Sequence, residues 1–134
     1  MNIEQIKKIL PNLTPGYFAT KNGEQLEIRG WQYQFSEGNK FYFTTSNTKD
    51  VYTQMQDNLQ VAFACEVNEY NIRISGKATF LTDIAKKEQA FAKISSHVQA
   101  MYQKASNPTF EVFYIGSGEI KVNKGFEPFK TVKF

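Results

Sequence analysis

The sequence predicts a mainly β fold, an antiparallel closed or nearly closed barrel of about six to eight strands with three or four short helices. Three observations support this fold class. Apolar and polar residues alternate in several short segments, as in half-buried strands. Turn-forming residues separate most of these segments, and only a few stretches show the spacing of an amphipathic helix.

Length and composition favour a single domain over residues 1–134. The chain has 12 Phe, 7 Tyr and 1 Trp, and 41% of its residues are hydrophobic. This apolar content is sufficient for one sizeable core and argues against a disordered chain.

Several protein classes are not expected. The net charge is only +3, and no basic tail is present, so a nucleic-acid partner is not indicated. The longest apolar run, Val61–Cys65, is too short to cross a membrane. The single cysteine excludes an intramolecular disulfide framework, and the first residues lack the apolar core of a signal peptide. We therefore expect a cytoplasmic protein without a membrane partner.

The first elements are a helix and a strand. Apolar residues recur at helical spacing over 3–10, and Pro11 ends the pattern. Residues 16–21 alternate as a strand, and the pair Asn22 and Gly23 that follows is a strong hairpin signal. A β-hairpin is therefore predicted directly after the N-terminal helix.

In the second strand the apolar residues change from one face of the strand to the other. Its apolar residues fall into two sets, Leu26 and Ile28 on one face and Trp31, Tyr33 and Phe35 on the other. Because side chains alternate strictly in a strand, an inserted residue is needed to bring both sets to one side. Gly30 stands at the change, which indicates a β-bulge there. A strand buried on both faces is the alternative.

The middle of the chain predicts strand, helix, strand and strand. Lys40–Thr45 is the third strand, and Ser46–Thr48 supplies capping residues for a helix that extends to Asn58. Gln60–Val67 and Asn71–Leu81 alternate as two further strands. The short turn between them predicts that they pair antiparallel.

The last part of the chain adds two helices and more strands. Asp83 caps the first helix, whose predicted inner face comprises Ile84, Phe91 and Ile94. The second helical segment runs over 97–105, with Val98, Met101 and Tyr102 facing inward. The remaining predicted elements are a strand at 110–115, a turn at 116–118, a strand at 119–123 and a short strand at 129–134.

Side-chain catalysis and metal binding are not indicated. One His and one Cys, distant in sequence, do not form a conventional zinc site. We expect His97 to be a partly exposed helix residue, and Cys65, in an alternating strand, to be a core thiol.

The strongest local pattern is a polar loop between the third strand and its helix. Thr44 and Thr45 end the strand, and Thr48 and Lys49 begin the helix. Free N–H groups and the positive end of the helix dipole favour an anion at this position. Lys49 is otherwise unfavourable at a helix N-terminus, and a bound phosphate would reverse that effect. An ordinary capped helix with an exposed lysine is the alternative.

Two residues of the second strand add to this pattern. Arg29 is one of two arginines, and its guanidinium suits phosphate. Trp31 lies on the same face and suits a ligand with an aromatic ring. Alternatively, Arg29 pairs with Glu27 or Glu66, and Trp31 serves the core or a dimer contact.

The order of these segments resembles that of the FMN-binding split barrels related to pyridoxamine 5′-phosphate oxidase. The resemblance covers most of the chain. Within the family, the sequence looks most like the short, nitroimidazole-resistance (NimA/NimC-like) branch. The segments that carry it are Gly16–Thr20, Ile28–Trp31, Lys40–Tyr52, Ile72–Ala78 and Met101–Tyr102.

The resemblance implies a split β-barrel homodimer with FMN at the subunit interface. It implies that Arg29 and Lys49 hold the FMN phosphate with help from Thr48. The flavin ring and ribityl chain would be contacted by Gly30, Trp31, Thr44 and Thr45. Asn71 stands where the oxidase has a glutamine that reaches the partner's FMN, so the resemblance implies that Asn71 also binds the cofactor.

The sequence also departs from the pattern of that family. Gly30 replaces a common proline, and Glu27 stands where a basic residue is frequent. The sequence lacks the C-terminal Arg/His stretch that binds pyridoxal phosphate in the true oxidase, so oxidation of vitamin B6 is not expected.

Three functions follow from the resemblance. The first is an FMN-dependent oxidoreductase that passes electrons from a reduced donor to a small acceptor such as a nitro compound or a quinone. The second is a non-enzymatic flavin carrier or sensor. The third is haem binding, for which His97 is the single available imidazole.

Overall fold

A computed structural model describes all 134 residues, and it contains four helices and eight strands. The helices are α1 Ile3–Ile9, α2 Asp50–Asp57, α3 Ile84–Phe91 and α4 Ser96–Tyr102. The strands are β1 Pro15–Asn22, β2 Gln25–Gln32, β3 Phe35–Glu37, β4 Lys40–Ser46, β5 Gln60–Val67, β6 Tyr70–Phe80, β7 Phe110–Lys124 and β8 Lys130–Lys133. The four helices are too short and too polar to span a bilayer.

The strands form one antiparallel sheet in the order β2-β1-β5-β6-β7-β4-β3, with β8 paired to β7. The sheet curls so that strands distant in this order meet inside it. The ring of Phe18 on β1 lies 5.6 Å from that of Phe43 on β4 and 5.5 Å from that of Phe113 on β7. All three side chains are fully buried. The predicted antiparallel barrel with short helices is therefore confirmed.

The predicted bulge at Gly30 is wrong. The β1–β2 pairing is regular from Pro15 opposite Gln32 to Asn22 opposite Gln25. No inserted residue is needed, because Leu26 and Ile28 lie on the outer face of the hairpin and are 78% and 71% exposed. Alternation is preserved, and these two apolar side chains are outside the barrel.

The predicted turn at 116–118 is also wrong, since β7 continues through it. The glycines instead allow β6 and β7 to approach each other closely. Gly76 pairs with Gly118, and the register shifts between Gly76 and Ala78. A Cβ on Gly118 would lie 2.0 Å from the carbonyl oxygen of Ser75, and φ at Gly118 is +150°. Glycine therefore allows one long strand to pair with β6, β4 and β8.

This close approach gives a stability prediction. We expect Gly118→Ala to lower the free energy of unfolding by about 2 kcal/mol or more, because the backbone must shift to admit the methyl group. Urea unfolding measures the change. Gly30→Ala is the control, since a Cβ there meets nothing within 4 Å. Equal stability of the two variants would contradict this account of β7.

The helices differ from the prediction mainly in which of their side chains are buried. Asp83 caps α3 as predicted, because its side-chain oxygen accepts a hydrogen bond from the N–H of Ala85. Ile84, expected inside, is 47% exposed, and Met101 is 59% exposed. Both residues lie on short helices at the barrel surface, where few positions face the core. Tyr102 and Ile94 are buried as expected.

Candidate functional site

The loop between β4 and α2 leaves backbone donors unused at the start of α2. Lys49 is the N-cap residue and makes no side-chain cap, so the predicted capping by Ser46–Thr48 is wrong. The hydroxyls of Ser46 and Thr48 are 2.7 Å apart and bond to each other instead. The N–H groups of Asp50 and Val51 have no acceptor in the chain. These groups are the donors that an anion uses at a helix N-terminus.

Beside this loop lies a cavity of about 220 Å³, which we call the polar pocket. It brings together five of the predicted site residues from three parts of the chain: Gly30, Trp31, Thr44, Thr45 and Lys49. The Lys49 ammonium lies 5.7 Å from the centre of the Trp31 ring. Thr48 is exposed at the adjoining helix start. The pocket therefore combines hydroxyl, indole and ammonium groups at one place.

Two buried polar atoms in the walls of the polar pocket have no partner. The Oγ1 atom of Thr45 and the Nε1 atom of Trp31 are buried and make no hydrogen bond. Thr45 is only 2% exposed. An unpaired buried hydroxyl or indole N–H costs free energy, so these two side chains are candidates for hydrogen bonding to a ligand.

Arg29 lies beside the polar pocket but is not part of its lining. Its guanidinium donates to the Thr20 hydroxyl at 2.8 Å, to the Gln54 side-chain oxygen at 3.0 Å and to the Phe18 carbonyl at 3.3 Å. Neither predicted ion pair, with Glu27 or with Glu66, forms. Burial lowers the pKa of Arg29 from its ordinary value, and the nearby Glu27 carboxylate partly opposes that shift.

Asn71 lies elsewhere, in a second cavity of about 730 Å³. Its side-chain nitrogen donates to Asn123 at 2.8 Å. The same cavity holds Arg73, whose guanidinium lies 4.2 Å from the centre of the Phe129 ring. The chain therefore does not bring Asn71 to the polar pocket. The two cavities share Gly30 and Trp31 in their walls.

Cys65 also lines the second cavity. It is 9% exposed, as expected of a core thiol. Burial raises the pKa of Cys65 to about 11, so the thiol stays protonated at neutral pH and is a poor nucleophile.

An apolar outer face adjoins both cavities. On β1 and β2 it presents Tyr17, Leu26 and Ile28, which are 61%, 78% and 71% exposed. The strand register places Ile28 opposite Ala19, and Ala19 opposite Ala62. Large exposed side chains thus project above a surface of small ones. We call this surface the outer β1–β2 face.

Some residues of the site had little or no sequence signal. Gln54 on α2 bonds to Arg29, and Gln32 and Gln34 line the polar pocket. An isolated glutamine carries no motif, so only the fold shows the contacts of these amides. Helix α4 closes one side with Val98, Met101 and Tyr102, which helical spacing had marked only as core residues.

Comparisons with known proteins identify the fold. No protein-family model matches the sequence, and no curated protein matches it significantly. Among solved structures, a NimC/NimA family protein from Clostridium acetobutylicum is 22% identical with a TM-score of 0.84, over 98% of this chain and 93% of that chain. A general stress FMN/FAD binding protein from Xanthomonas citri is 17% identical with a TM-score of 0.73, over 93% of this chain and 89% of that chain.

A third similar structure is a heme binding protein from Mycobacterium smegmatis. It is 12% identical with a TM-score of 0.79, and the match covers 97% of this chain but 57% of that chain. At these identities the likeness concerns the fold. The chain has the split-barrel fold, and its predicted resemblance to the split barrels related to pyridoxamine 5′-phosphate oxidase is confirmed at that level.

Proposed function

We propose that this protein is an FMN-binding flavoprotein, a homodimer that passes electrons from a reduced donor to a small acceptor of the nitro-compound or quinone type. The observation that carries the proposal is the polar pocket. It places two threonines, an indole and a lysine beside uncapped N–H groups of α2, and two of its buried polar atoms have no partner. The FMN/FAD binding protein of the same fold supports flavin as the ligand.

The residues present fit FMN. A phosphate would accept hydrogen bonds from the free N–H groups of Asp50 and Val51 and face Lys49 and Arg29. Thr44 and Thr45 would bind the polar chain or ring of the flavin. Gly30 suits close approach to the ring, since there is open space where a Cβ would stand. When bound, FMN supplies reversible electron and hydride transfer, so no catalytic set of side chains is required.

The second subunit has a candidate position on the outer β1–β2 face. Exposed large apolar side chains of this kind are typical of interfaces, and a two-fold axis lets the same patch bury itself. The face adjoins the second cavity, which contains Tyr17 and Asn71. A dimer formed there would bring Asn71 toward the flavin region of the partner subunit.

The unpaired hydroxyl of Thr45 gives a test of the pocket. We expect Thr45→Val to raise the free energy of unfolding of the flavin-free protein by about 1 kcal/mol, since the buried hydroxyl is removed without loss of a hydrogen bond. The same variant should bind FMN several-fold more weakly. Thermal unfolding and a flavin titration measure the two effects. Unchanged FMN affinity would show that the hydroxyl does not face the ligand.

Haem binding is less well supported. The heme binding protein from Mycobacterium smegmatis shares the fold. In this chain His97 lies exposed on α4 and lines neither cavity. The one imidazole is therefore not placed where an axial ligand is needed.

Reduction and reoxidation of the FMN-loaded protein test the enzymatic part of the proposal. The protein is mixed anaerobically with NADH or NADPH, and bleaching of the flavin band is followed. A nitro compound or a quinone is then added. Rapid bleaching and recovery support an oxidoreductase, whereas resistance to both donors supports a flavin carrier or sensor.

A further inference from the structure

Residues of α3 and of strands β3, β4 and β7 line a further cavity of about 190 Å³, which we call the α3 cavity. It shares no residue with the polar pocket or with the second cavity. The proposed flavin site therefore leaves this cavity and its side chains without a role.

One wall of the α3 cavity is aromatic. The rings of Phe35 and Tyr42 stack in parallel, with their centres 4.5 Å apart and an interplanar angle of 8°. The ring of Tyr114 lies 5.3 Å from that of Tyr42. Leu81 and Ala90 add aliphatic surface to the lining. Since Tyr42 and Tyr114 are only half-buried, part of their ring surface is available to a ligand.

Three lysines line the same cavity, together with a single carboxylate. The Lys40 ammonium lies 4.7 Å from the centre of the Tyr114 ring. The carboxylate, Glu37, is already engaged, because Lys93 donates a hydrogen bond to it and lowers the pKa of its carboxyl. Lys40 and Lys86 form no ion pair. The cavity therefore keeps two positive charges that no carboxylate of the chain neutralises.

We propose that the α3 cavity binds a small aromatic carboxylate, at a site separate from that of the flavin. The ligand ring packs against Tyr42 and Tyr114, as aromatic pairs do in protein cores. Its carboxylate accepts hydrogen bonds from Lys40 and Lys86, which are stronger than bonds between neutral groups. The volume is below the roughly 300–1,000 Å³ of sites for drug-sized ligands, so it suits a ligand of one aromatic ring.

Three probes of similar size separate the two parts of this proposal. Benzoate has the aromatic ring and the charge, benzamide has the ring without the charge, and cyclohexanecarboxylate has the charge without the aromatic ring. Titrations of the full chain, followed by ¹H–¹⁵N NMR with and without FMN, measure affinity and location. We expect benzoate to bind about 10-fold or more tightly than benzamide, and about twofold or more tightly than cyclohexanecarboxylate. The shifted amides should centre on Tyr42, Tyr114 and α3.

Two double variants test the role of the lysines. Lys40→Gln together with Lys86→Gln removes both unpaired charges, so the preference for benzoate over benzamide should fall below about twofold. Lys124→Gln together with Lys130→Gln is the matched control and should keep the wild-type preference. Lys124 also lies over a tyrosine ring, 5.4 Å from the centre of Tyr70, but neither control lysine lines the α3 cavity.

Several results would overturn the proposal. These are no measurable binding of benzoate, equal binding of benzoate and benzamide by the wild type, and an equal preference in the two double variants. Shifts that centre on Trp31 and disappear when FMN is added would also overturn it, because benzoate would then occupy the polar pocket. None of these measurements requires a bound flavin. Protein that binds benzoate in the α3 cavity but does not bind FMN would contradict the proposed function alone.

Discussion

Replacement of Arg29 and Lys49 together by alanine is expected to abolish retention of FMN. In the proposed site each residue would supply a cation to the phosphate, and a hydrogen bond between charged groups contributes about 1.5–3 kcal/mol. Loss of both therefore weakens binding about 100-fold or more. Lys49→Ala alone should have a partial effect, because Arg29 and the α2 N–H groups remain. Gel filtration of the FMN-loaded protein, followed by the ratio of flavin to protein absorbance, measures the loss.

The matching control removes two positive charges elsewhere. Lys8 and Lys104 are exposed and line neither cavity, so Lys8→Ala with Lys104→Ala should retain FMN fully. Circular dichroism checks that the Arg29 variant stays folded, because that side chain also bonds to β1 and α2. Electron transfer that persisted after loss of flavin would contradict the flavin-dependent mechanism.

Replacement of Ile28 by lysine is expected to convert the proposed dimer to monomers. Ile28 is 71% exposed in the single chain, at the centre of the outer β1–β2 face. Burial of an isoleucine stabilises an interface by about 1.5–3 kcal/mol, and a buried unpaired ammonium destabilises it further. Sedimentation velocity should show a dimer for the wild type and a monomer for the variant. FMN retention should fall in parallel if the flavin lies between subunits.

Ile84 provides the matched control for this change. It is the other strongly exposed isoleucine, and it lies on α3 rather than on the outer β1–β2 face. Ile84→Lys should therefore remain dimeric and retain FMN. A wild type that sediments as a monomer at micromolar concentration would contradict the shared interface, as would a dimeric Ile28→Lys variant.

Much of the fold could be predicted because its signals are local. The alternation of apolar and polar residues alone located β5 and β6, and Asp83 as an N-cap residue correctly predicted the start of α3. Errors arose where tertiary packing overrode a local signal. Gly118 resembles a turn glycine in sequence, yet it permits close approach between β6 and β7. Leu26 and Ile28 resemble core residues, but they are exposed in the isolated chain.

The candidate site could be predicted only in part, for a similar reason. Thr44, Thr45 and Lys49 are adjacent in sequence, so strand and helix signals placed them together. Gly30 and Trp31 were assigned to the same site because the order of the segments resembles that of the FMN-binding split barrels. The hydrogen bond from Arg29 to Gln54 could not be predicted, because it joins two elements that are distant in sequence. Asn71 lies in the other cavity of the chain, which shares only Gly30 and Trp31 with the polar pocket.

The visible absorption spectrum of the purified protein, before and after addition of FMN and desalting, tests the central claim most directly. Flavin binding at the polar pocket predicts a retained flavin spectrum at about one FMN per chain, since each chain has one pocket and charged phosphate contacts bind firmly. A folded dimer that retains no flavin would contradict the claim. The polar pocket and its unpaired Thr45 hydroxyl would then serve another ligand.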